Sequence, residues 1–245
     1  MQISVVILSK NEADRIGAAI ASVPFAKEIL VLDSGSEDGT VELARGLGAR
    51  VEEVDWPGFP QQRNRAMERV TCDWVLFLDA DEVIGPTLRA ALEALPEDPP
   101  ERGFLLTREN IWLGHRVRAG SFGPKRMSRM AHRQHSTWVS EVHEILKVDG
   151  PIRGLPGRIV HQPYRSMREH LQSIDFYTGL FAEKTEKRAR IWDVLLRPPL
   201  HFVRAYLLQG GFVDGVAGWM LAWLGAAYVA LKWGRTWRKQ RMSHE

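Results

Sequence analysis

The stretch 74–84, WVLFLDADEVI, places three carboxylates directly after a run of apolar residues. Asp79 and Asp81 are two positions apart at the end of a predicted strand, so their side chains can point to the same side. Two carboxylates that converge in this way repel each other unless a cation lies between them or one takes up a proton. Oxygen ligands select a hard divalent cation, Mg²⁺ or Mn²⁺, which keeps open positions for phosphate oxygens. The cluster of Asp79, Asp81 and Glu82 therefore predicts a metal site that holds a diphosphate.

Helix capping is the alternative explanation for these acids. Asp81 or Glu82 would then lie at the positive end of the helix predicted over 85–95, which has Pro86 in its first turn. Capping accounts for one acid but not for three, so the metal interpretation is preferred.

Two further polar clusters, SKNE at 9–12 and DSGSEDGT at 33–40, also follow predicted strands. The first hundred residues alternate between apolar, strand-like runs and segments with helical spacing. This alternation predicts strands at 3–8, 28–33, 49–54 and 74–79, and helices at 13–23, 39–48, 61–70 and 85–95. Such a pattern is typical of a mostly parallel sheet with helices on both faces, which binds ligands beyond the carboxyl ends of its strands. Polar loops are common in themselves, but three at one edge of a sheet indicate a binding site.

Composition narrows the class of protein. The chain has 245 residues, of which 44% are hydrophobic, enough for one large domain or one domain with an appendage. Its formal charge of +3 does not suit a polycation that coats nucleic acid. The single cysteine, Cys72, excludes an internal disulfide, and the first residues are expected to form a strand and not a signal peptide.

The region 102–135 is strongly basic, with eight Arg or Lys and three His against one acid. It forms either a solvated face of β structure or a platform where arginine binds the phosphate or carboxylate groups of an anionic acceptor. Trp112 and Trp138 either stack on sugar rings or belong to the core. His132 and His135 have a spacing reminiscent of zinc ligands but lack a second ligand pair, so a zinc site is not expected.

The C-terminal region changes character. Residues 166–190 predict an amphipathic helix with Leu171, Ile174, Leu180 and Phe181 facing inward. The uncharged run 215–231 has 17 residues, the lower limit for crossing a bilayer, and basic residues flank it. A hairpin or interfacial helix in the cytoplasmic leaflet is the preferred interpretation, and a buried core helix and a single span are the alternatives.

Four motifs in order carry a family resemblance: SVVILSKNEADRI, ILVLDSGSEDGT, QQRNRAME and WVLFLDADEV. With them the chain resembles the inverting family 2 glycosyltransferases of the GT-A fold, and among these the bacterial lipopolysaccharide core β-glucosyltransferases. The resemblance implies a Rossmann-like α/β fold with C-terminal membrane-associated helices. It divides the chain into a nucleotide-sugar-binding half at 1–100, an acceptor-binding half at 101–165 and a membrane-associated region at 166–245.

The resemblance also implies roles for individual residues. Asp79 would contact the ribose or the divalent metal, and Asp81 would ligate the metal directly and so belong to the catalytic residues. Ser34 stands where many relatives have a second aspartate, so it cannot supply that carboxylate. The implied contacts with the nucleotide sugar are Ser9, Asn11, Glu12, Asp33, Ser34, Arg63, Asn64, Asp79 and Ala80.

Inverting transfer needs a base that takes the proton of the acceptor hydroxyl. SEVHEIL offers Glu141, His143 and Glu144, and the similar VHE of the family favours Glu144. His161, after an apolar strand, is a further candidate ligand of the metal, although a histidine there is more often simply hydrogen-bonded in place.

The sequence thus predicts an inverting, metal-dependent enzyme at the cytoplasmic face of the bacterial inner membrane. It would transfer a hexose such as glucose from a nucleotide sugar, expected to be a UDP-sugar, to a lipopolysaccharide core or related anionic glycolipid. The alternatives are a polyprenyl-phosphate sugar transferase and a catalytically silent nucleotide-binding scaffold on the membrane. A Rossmann oxidoreductase is disfavoured because SKNEADRIG lacks the glycine fingerprint.

Overall fold

The computed structural model describes residues 1–139 and 144–242, and the chain divides into two compact units. Unit 1 comprises Met1–Arg108 and Lys125–His161, and unit 2 comprises Glu109–Pro124 and Gln162–Glu245. These boundaries differ from the predicted divisions, because residues 109–124 group with the C-terminal helices. The roles predicted for the three segments stay predictions.

The secondary structure follows the predicted alternation in the first half of the chain. The strands are β1 Ile3–Ser9, β2 Glu28–Asp33, β3 Arg50–Glu53, β4 Trp74–Asp79, β5 Glu82–Ile84, β6 Gly103–Trp112, β7 His115–Arg116, β8 Lys125–His132, β9 Ser136–Val139, β10 Ile145–Val148, β11 Ile152–Gly154 and β12 Ile159–His161. The helices are α1 Ile16–Ala21, α2 Thr40–Gly46, α3 Phe59–Arg69, α4 Pro86–Glu93, α5 Met167–Lys184, α6 Ile191–Leu195, α7 Arg197–Val203 and α8 Gly215–Met242.

The main sheet has the order β3-β2-β1-β4-β8-β6-β12-β5. β1 to β4 pair in parallel, whereas β8 runs antiparallel to both β4 and β6. Because side chains alternate along a strand, Val5 and Ile7 of β1 enter one core cluster and Val6 and Leu8 enter another. The first cluster contains α1, α2 and α4, and the second contains α3. Helices therefore cover both faces, and the predicted α/β fold is confirmed.

Two elements of unit 1 differ from the prediction. α1 begins at Ile16 and not at residue 13, because Asn11 has φ 55° and the chain turns before the helix starts. β5 has only three residues, Glu82–Ile84, too few to show a period in the sequence. It forms where an antiparallel partner, β12, is supplied from elsewhere in the chain.

Unit 2 contains the long helices. In α5, Ile174 is buried, as predicted. Leu171 was also expected to face inward but is half exposed, so the prediction for Leu171 was wrong. α8 is one continuous helix of 28 residues, so residues 215–231 do not form a hairpin. The stretch Gly211–Met242 is long and apolar enough to cross a membrane by length and composition, which is weak evidence on its own. Only 28% of its most apolar window is buried, which does not fit a core helix.

Candidate functional site

The parallel register brings the predicted polar ends of three strands to one edge of the sheet. Ser9 at the end of β1 pairs with Asp33 at the end of β2, and Leu8 pairs with Asp79 at the end of β4. The central residues of all three strands are mostly apolar and buried, and the polar residue that ends each strand lies where the strand leaves the core. The predicted edge site is thus built by the register of β1, β2 and β4.

Asp33 organises the loop that follows β2. Its buried carboxylate accepts hydrogen bonds from the Ser9 hydroxyl at 2.8 Å, from the backbone amides of Gly35 and Ser36 at 3.0 and 2.7 Å, and from the Ser36 hydroxyl at 2.6 Å. The carboxylate therefore holds the loop in shape. Its predicted contact with a nucleoside stays a prediction.

The loop after β1 is joined to the loop after β2 by further hydrogen bonds. The Asn11 side chain accepts from the Glu37 amide at 2.9 Å, and the Glu12 amide donates to the Thr40 hydroxyl at 2.8 Å. The Glu12 carboxylate accepts from the Arg15 guanidinium at 2.6 and 2.7 Å. These contacts give both loops one fixed arrangement.

Ser34 differs from its neighbours in this loop. Its hydroxyl oxygen is buried and has no hydrogen-bond partner within the described part of the chain. A buried polar atom left without a partner is costly, which makes this hydroxyl available to a bound ligand.

Arg63 connects two carboxylates that are far apart in sequence. From α3 it donates to Asp79 Oδ1 at 2.8 Å and to Glu144 Oε1 at 2.7 Å. Its guanidinium lies over the Trp138 ring, 4.5 Å from the centroid, and the side chain is 3% exposed. Arg63 thereby fixes the position of the candidate base Glu144 relative to Asp79 at the end of β4. This contact was not predicted, since Arg63 was expected to contact the nucleotide sugar.

Arg129 is the residue that the sequence analysis missed. It lies on β8, inside the basic region, but its side chain is only 6% exposed. It donates to Asp79 Oδ2 at 2.9 Å and to Glu82 Oε1 at 3.3 Å. The sequence held no local signal for this residue, because its burial follows from the pairing of β8 with β4 and β6.

The pKa values of the two carboxylates beside Arg129 are shifted in opposite directions. Although burial raises the pKa of Asp79, the charges of Arg129 and Arg63 outweigh it and hold that pKa well below its usual range. Burial raises the pKa of Glu82, whose side chain is fully buried, against the opposing charge of Arg129. Glu82 also accepts from the Asp79 backbone amide at 3.0 Å and lies 3.5 Å from Arg108. The acidic cluster is therefore neutralised largely by arginine.

These arginines change the explanation of how the clustered carboxylates are tolerated. A metal is not needed to offset Asp79 and Glu82, because Arg63, Arg129 and Arg108 do so. The capping alternative is also wrong, since the residue before α4 is Gly85 and no side chain caps that helix.

Asp81 has a different environment. The antiparallel register of β12 with β5 sets His161 opposite Glu82, and this brings His161 Nε2 to 3.3 Å from Asp81 Oδ2. Arg15 lies 4.0 Å from the same oxygen. Within residues 1–139 and 144–242 no group of three or more His, Cys, Asp or Glu side chains is arranged to hold a metal. The Asp81 carboxylate fits a Mg²⁺ or Mn²⁺ ion whose other positions go to phosphate and water, and His161 is close enough to take one further position.

The remaining predicted residues have structural contacts. The Asn64 side chain accepts from the Trp138 amide at 2.8 Å and donates to its carbonyl at 2.9 Å, so it holds β9. The Ala80 side chain belongs to the core, and Trp112 and Trp138 are both buried, which favours the core interpretation of these two rings. Glu141 and His143 lie outside the described residues. Asp79 as a metal ligand stays a prediction, and its oxygens here accept from arginine.

Comparison with known proteins identifies the family. The model of "Glycosyl transferase family 2" matches residues 4–109. An uncharacterized glycosyltransferase of Rickettsia bellii is 30% identical over 242 residues, which cover 88% of this chain and 81% of that protein. The chain belongs to glycosyl transferase family 2. It is accordingly a glycosyltransferase, as the sequence predicted.

Further proteins are also similar to this family 2 glycosyltransferase. The lipopolysaccharide core biosynthesis glycosyltransferase LpsC of Rhizobium meliloti is 26% identical over 254 residues, which cover 99% of this chain and 94% of LpsC. Among solved structures, glucosyl-3-phosphoglycerate synthase of Mycobacterium tuberculosis, in complex with Mn²⁺, UDP and phosphoglyceric acid, has a TM-score of 0.45 at 20% identity. That likeness covers 74% of this chain and 78% of the other.

The family match does not cover the whole site of this glycosyltransferase. Ser9, Asp33, Arg63, Asp79 and Asp81 lie inside residues 4–109. Arg129, Glu144 and His161 lie beyond them and reach the same cluster through β8, the start of β10 and β12. The second half of unit 1 thus completes a site that the matched region begins.

Proposed function

We propose that this glycosyltransferase transfers a hexose such as glucose, with inversion, from a UDP-sugar to a lipopolysaccharide core oligosaccharide or a related anionic glycolipid. The reaction takes place at the cytoplasmic face of the bacterial inner membrane and uses Mg²⁺ or Mn²⁺. The acceptor class is supported by the similarity to LpsC along almost the full length of both chains.

The observation that carries the proposal is the pairing of Asp81 with His161 beside the arginine-bound Asp79. Asp81 and His161 would hold the divalent ion against the diphosphate of the donor. When bound, the ion stabilises the negative charge of the departing nucleoside diphosphate. The buried Ser34 hydroxyl and the Asp33 loop supply contacts for the nucleoside.

Glu144 serves as the base. The acceptor oxygen forms a bond to the anomeric carbon while the bond from that carbon to the diphosphate breaks, and the acceptor proton passes to Glu144. Arg63 holds Glu144 through Oε1 at 2.7 Å, so the second oxygen is the one that receives the proton. The stacking of Arg63 on Trp138 keeps this carboxylate in place.

The metal site is tested with Asp81→Asn and His161→Ala. We expect each to weaken Mn²⁺-dependent binding of UDP in calorimetry, and to lower hydrolysis of the UDP-sugar by on the order of 100-fold or more. Asp55→Asn is the matched control, because Asp55 is an exposed acid of unit 1 that pairs with Arg65. Unchanged Mn²⁺-dependent UDP binding in both site variants would contradict the assignment.

The base is tested with Glu144→Gln, which keeps an oxygen for Arg63 but cannot take a proton. We expect transfer to fall by roughly 10² to 10⁴-fold while UDP-sugar binding stays close to wild type. Equal loss of binding and transfer would mean that Glu144 has a structural role. Transfer to polyprenyl phosphate with none to lipopolysaccharide core would overturn the acceptor and favour the alternative enzyme class.

A further inference from the structure

Unit 2 exposes a cluster of large apolar side chains where α7 turns back into α8. A π-helical turn, Arg204–Leu208, continues α7, and a 3₁₀ turn, Gly211–Asp214, leads into α8. Leu208 is 79% exposed and Val216 is 75% exposed. We call this cluster the apolar tip; its members are Leu207, Leu208, Phe212, Val213 and Val216.

The apolar tip is a built surface and not a frayed loop. Gly211 packs so closely that a Cβ there would come within 2.7 Å of the Ala205 carbonyl, and a Cβ on Gly218 would overlap the Gly211 carbonyl. Tyr206 and Phe212 contact edge to face, with ring centroids 6.4 Å apart. The two turns are therefore held together by backbone packing, which leaves their large apolar side chains pointing outward.

The carboxylate of Asp214 fixes the base of the tip. It is buried and accepts from the backbone amides of Arg118 and Ala119 at 3.0 Å each, and it lies 3.1 Å from His115 Nε2. These contacts hold the exposed Arg118 beside the first turn of α8. Arg204 lies in the π turn itself, and the stretch 194–213 contains two arginines and no acid.

Large exposed apolar patches on soluble proteins mark contact surfaces, and their chemistry indicates the partner. Here leucine, valine and phenylalanine are bordered by arginine, and Trp219 and Trp223 lie half exposed on the next turns of α8. Aromatic and basic residues around an apolar patch match the acyl, interfacial and phosphate layers of an anionic bilayer. Charge complementarity thus selects an anionic lipid surface as the occupant.

The packing of α8 decides how unit 2 meets the bilayer. α5 runs beside α8 in the same direction: Met167 packs near Leu221, Asp175 accepts from Arg235, and Lys239 donates to the carbonyls of Ala182 and Glu183. If α8 crossed the membrane, α5 would be drawn into the hydrocarbon beside it. The part of α5 beside Leu221 carries Arg168 and Glu169, which are costly at that depth.

The length of the apolar part of α8 also argues against a helix that crosses the membrane. Its charge-free part, residues 215–231, is about 25 Å long at the rise of an α-helix, shorter than the hydrocarbon core of about 30 Å. The last part of α8 carries basic residues whose side chains contact α5. Only the beginning of the helix is therefore suited to lipid.

We propose that unit 2 docks on an anionic bilayer by inserting the apolar tip, and that α8 does not cross the membrane. The inference takes the membrane location from the proposed function, but its test measures binding and sidedness without turnover. A failure here leaves the sugar-transfer assignment standing, and a failure of the transfer assays leaves this surface standing.

The docking surface is tested by sedimentation of the full chain with vesicles of phosphatidylcholine with and without phosphatidylglycerol. We expect binding that needs phosphatidylglycerol, and a loss of roughly tenfold or more for each of Leu208→Glu and Val216→Glu. Leu47→Glu is the matched control, since Leu47 is an exposed leucine of unit 1, and it should bind as wild type does. Unchanged binding of both tip variants, or binding to neither vesicle, would overturn the proposal.

Sidedness separates docking from crossing. Arg168→Cys, beside the start of α8, and Met242→Cys, at its end, are exposed positions, and the natural Cys72 is buried. With protein bound to the outside of anionic vesicles, we expect a membrane-impermeant maleimide to label both introduced cysteines, and Val216→Cys to be protected. Protection of only one of the two ends would show a crossing helix and would sink the proposal.

Discussion

Asp79 and Glu82 of unit 1 and Asp214 of unit 2 are carboxylates that are held by different kinds of partner. In unit 1, Asp79 and Glu82 lie against the side chains of Arg129, Arg63 and Arg108. In unit 2, Asp214 lies against two backbone amides and one histidine. The first arrangement is a network of several charged side chains, and the second is a single charge bonded mainly to the backbone.

This difference corresponds to what each unit has to do. A network of arginine and carboxylate side chains can redistribute its bonds when a charged ligand such as a diphosphate enters. A carboxylate held by backbone amides fixes one loop conformation and has no such freedom. Buried ion pairs are weak evidence for stability but are strongly destabilising when one partner is removed. The two units should therefore respond differently to the loss of one group.

The largest effect is expected for Arg129→Met. The substitution keeps an unbranched apolar stem but leaves Asp79 and Glu82 without their shared cation. We expect the free energy of unfolding to fall by about 3 to 5 kcal/mol, measured by denaturant titration of the intact chain. Arg129→Lys keeps a charge but not the forked guanidinium that reaches both acids. Its free energy of unfolding should therefore lie between those of the wild type and Arg129→Met. A loss equal to that of an exposed control such as Arg45→Met would contradict the network.

Arg129 also shows where sequence reasoning stops. The ends of β1, β2 and β4 were predictable because apolar runs followed by acids are local patterns, and Glu28–Asp33 was predicted with its observed bounds. The pairing of β8 with β4 joins residues 54 to 58 positions apart, and nothing local encodes that register. Arg129 was therefore indistinguishable from the other arginines of its basic region.

His161 shows the same limit of sequence-based prediction for a residue that was singled out in advance. The residue was singled out because it follows an apolar strand, but its distance from Asp81 depends on β12 pairing with the unpredicted β5. A three-residue strand is stabilised by its partner and not by its own sequence. The type of residue could be predicted from the sequence, and the contact could not.

The next prediction compares the two acids that Arg129 binds. Asp79→Asn should lower the free energy of unfolding at neutral pH by about 3 kcal/mol, because it weakens charged hydrogen bonds from Arg63 and Arg129. Glu82→Gln should cost less, because burial already raises the pKa of Glu82 and disfavours its charge. A larger loss of unfolding free energy for Glu82→Gln than for Asp79→Asn would contradict the greater importance of the Asp79 charge.

The same two acids give opposite dependences on pH. Because the pKa of Asp79 is lowered on folding, its contribution is present above its ordinary pKa of about 4 and is lost as the pH falls below it. The pKa of Glu82 is raised, so the folded state loses stability as the pH rises through that value. Unfolding titrations between acid and neutral pH should show the cost of Asp79→Asn growing with pH and the cost of Glu82→Gln shrinking. Parallel curves for the two variants would contradict the network.

The smallest effect on stability is expected in unit 2, for Asp214→Ala. The change leaves the amides of Arg118 and Ala119 without their acceptor and should cost about 1 to 3 kcal/mol. Since no buried guanidinium is left behind, the loss stays local, and hydrogen exchange should accelerate at Arg118 and Ala119 while the amides of β4 keep their protection. Asp214→Asn, which retains one carbonyl oxygen, should lie between wild type and Asp214→Ala. Faster exchange in β4 as well would mean that the buried carboxylate of unit 2 stabilises more than its own loop, and the contrast with Asp79 would no longer hold.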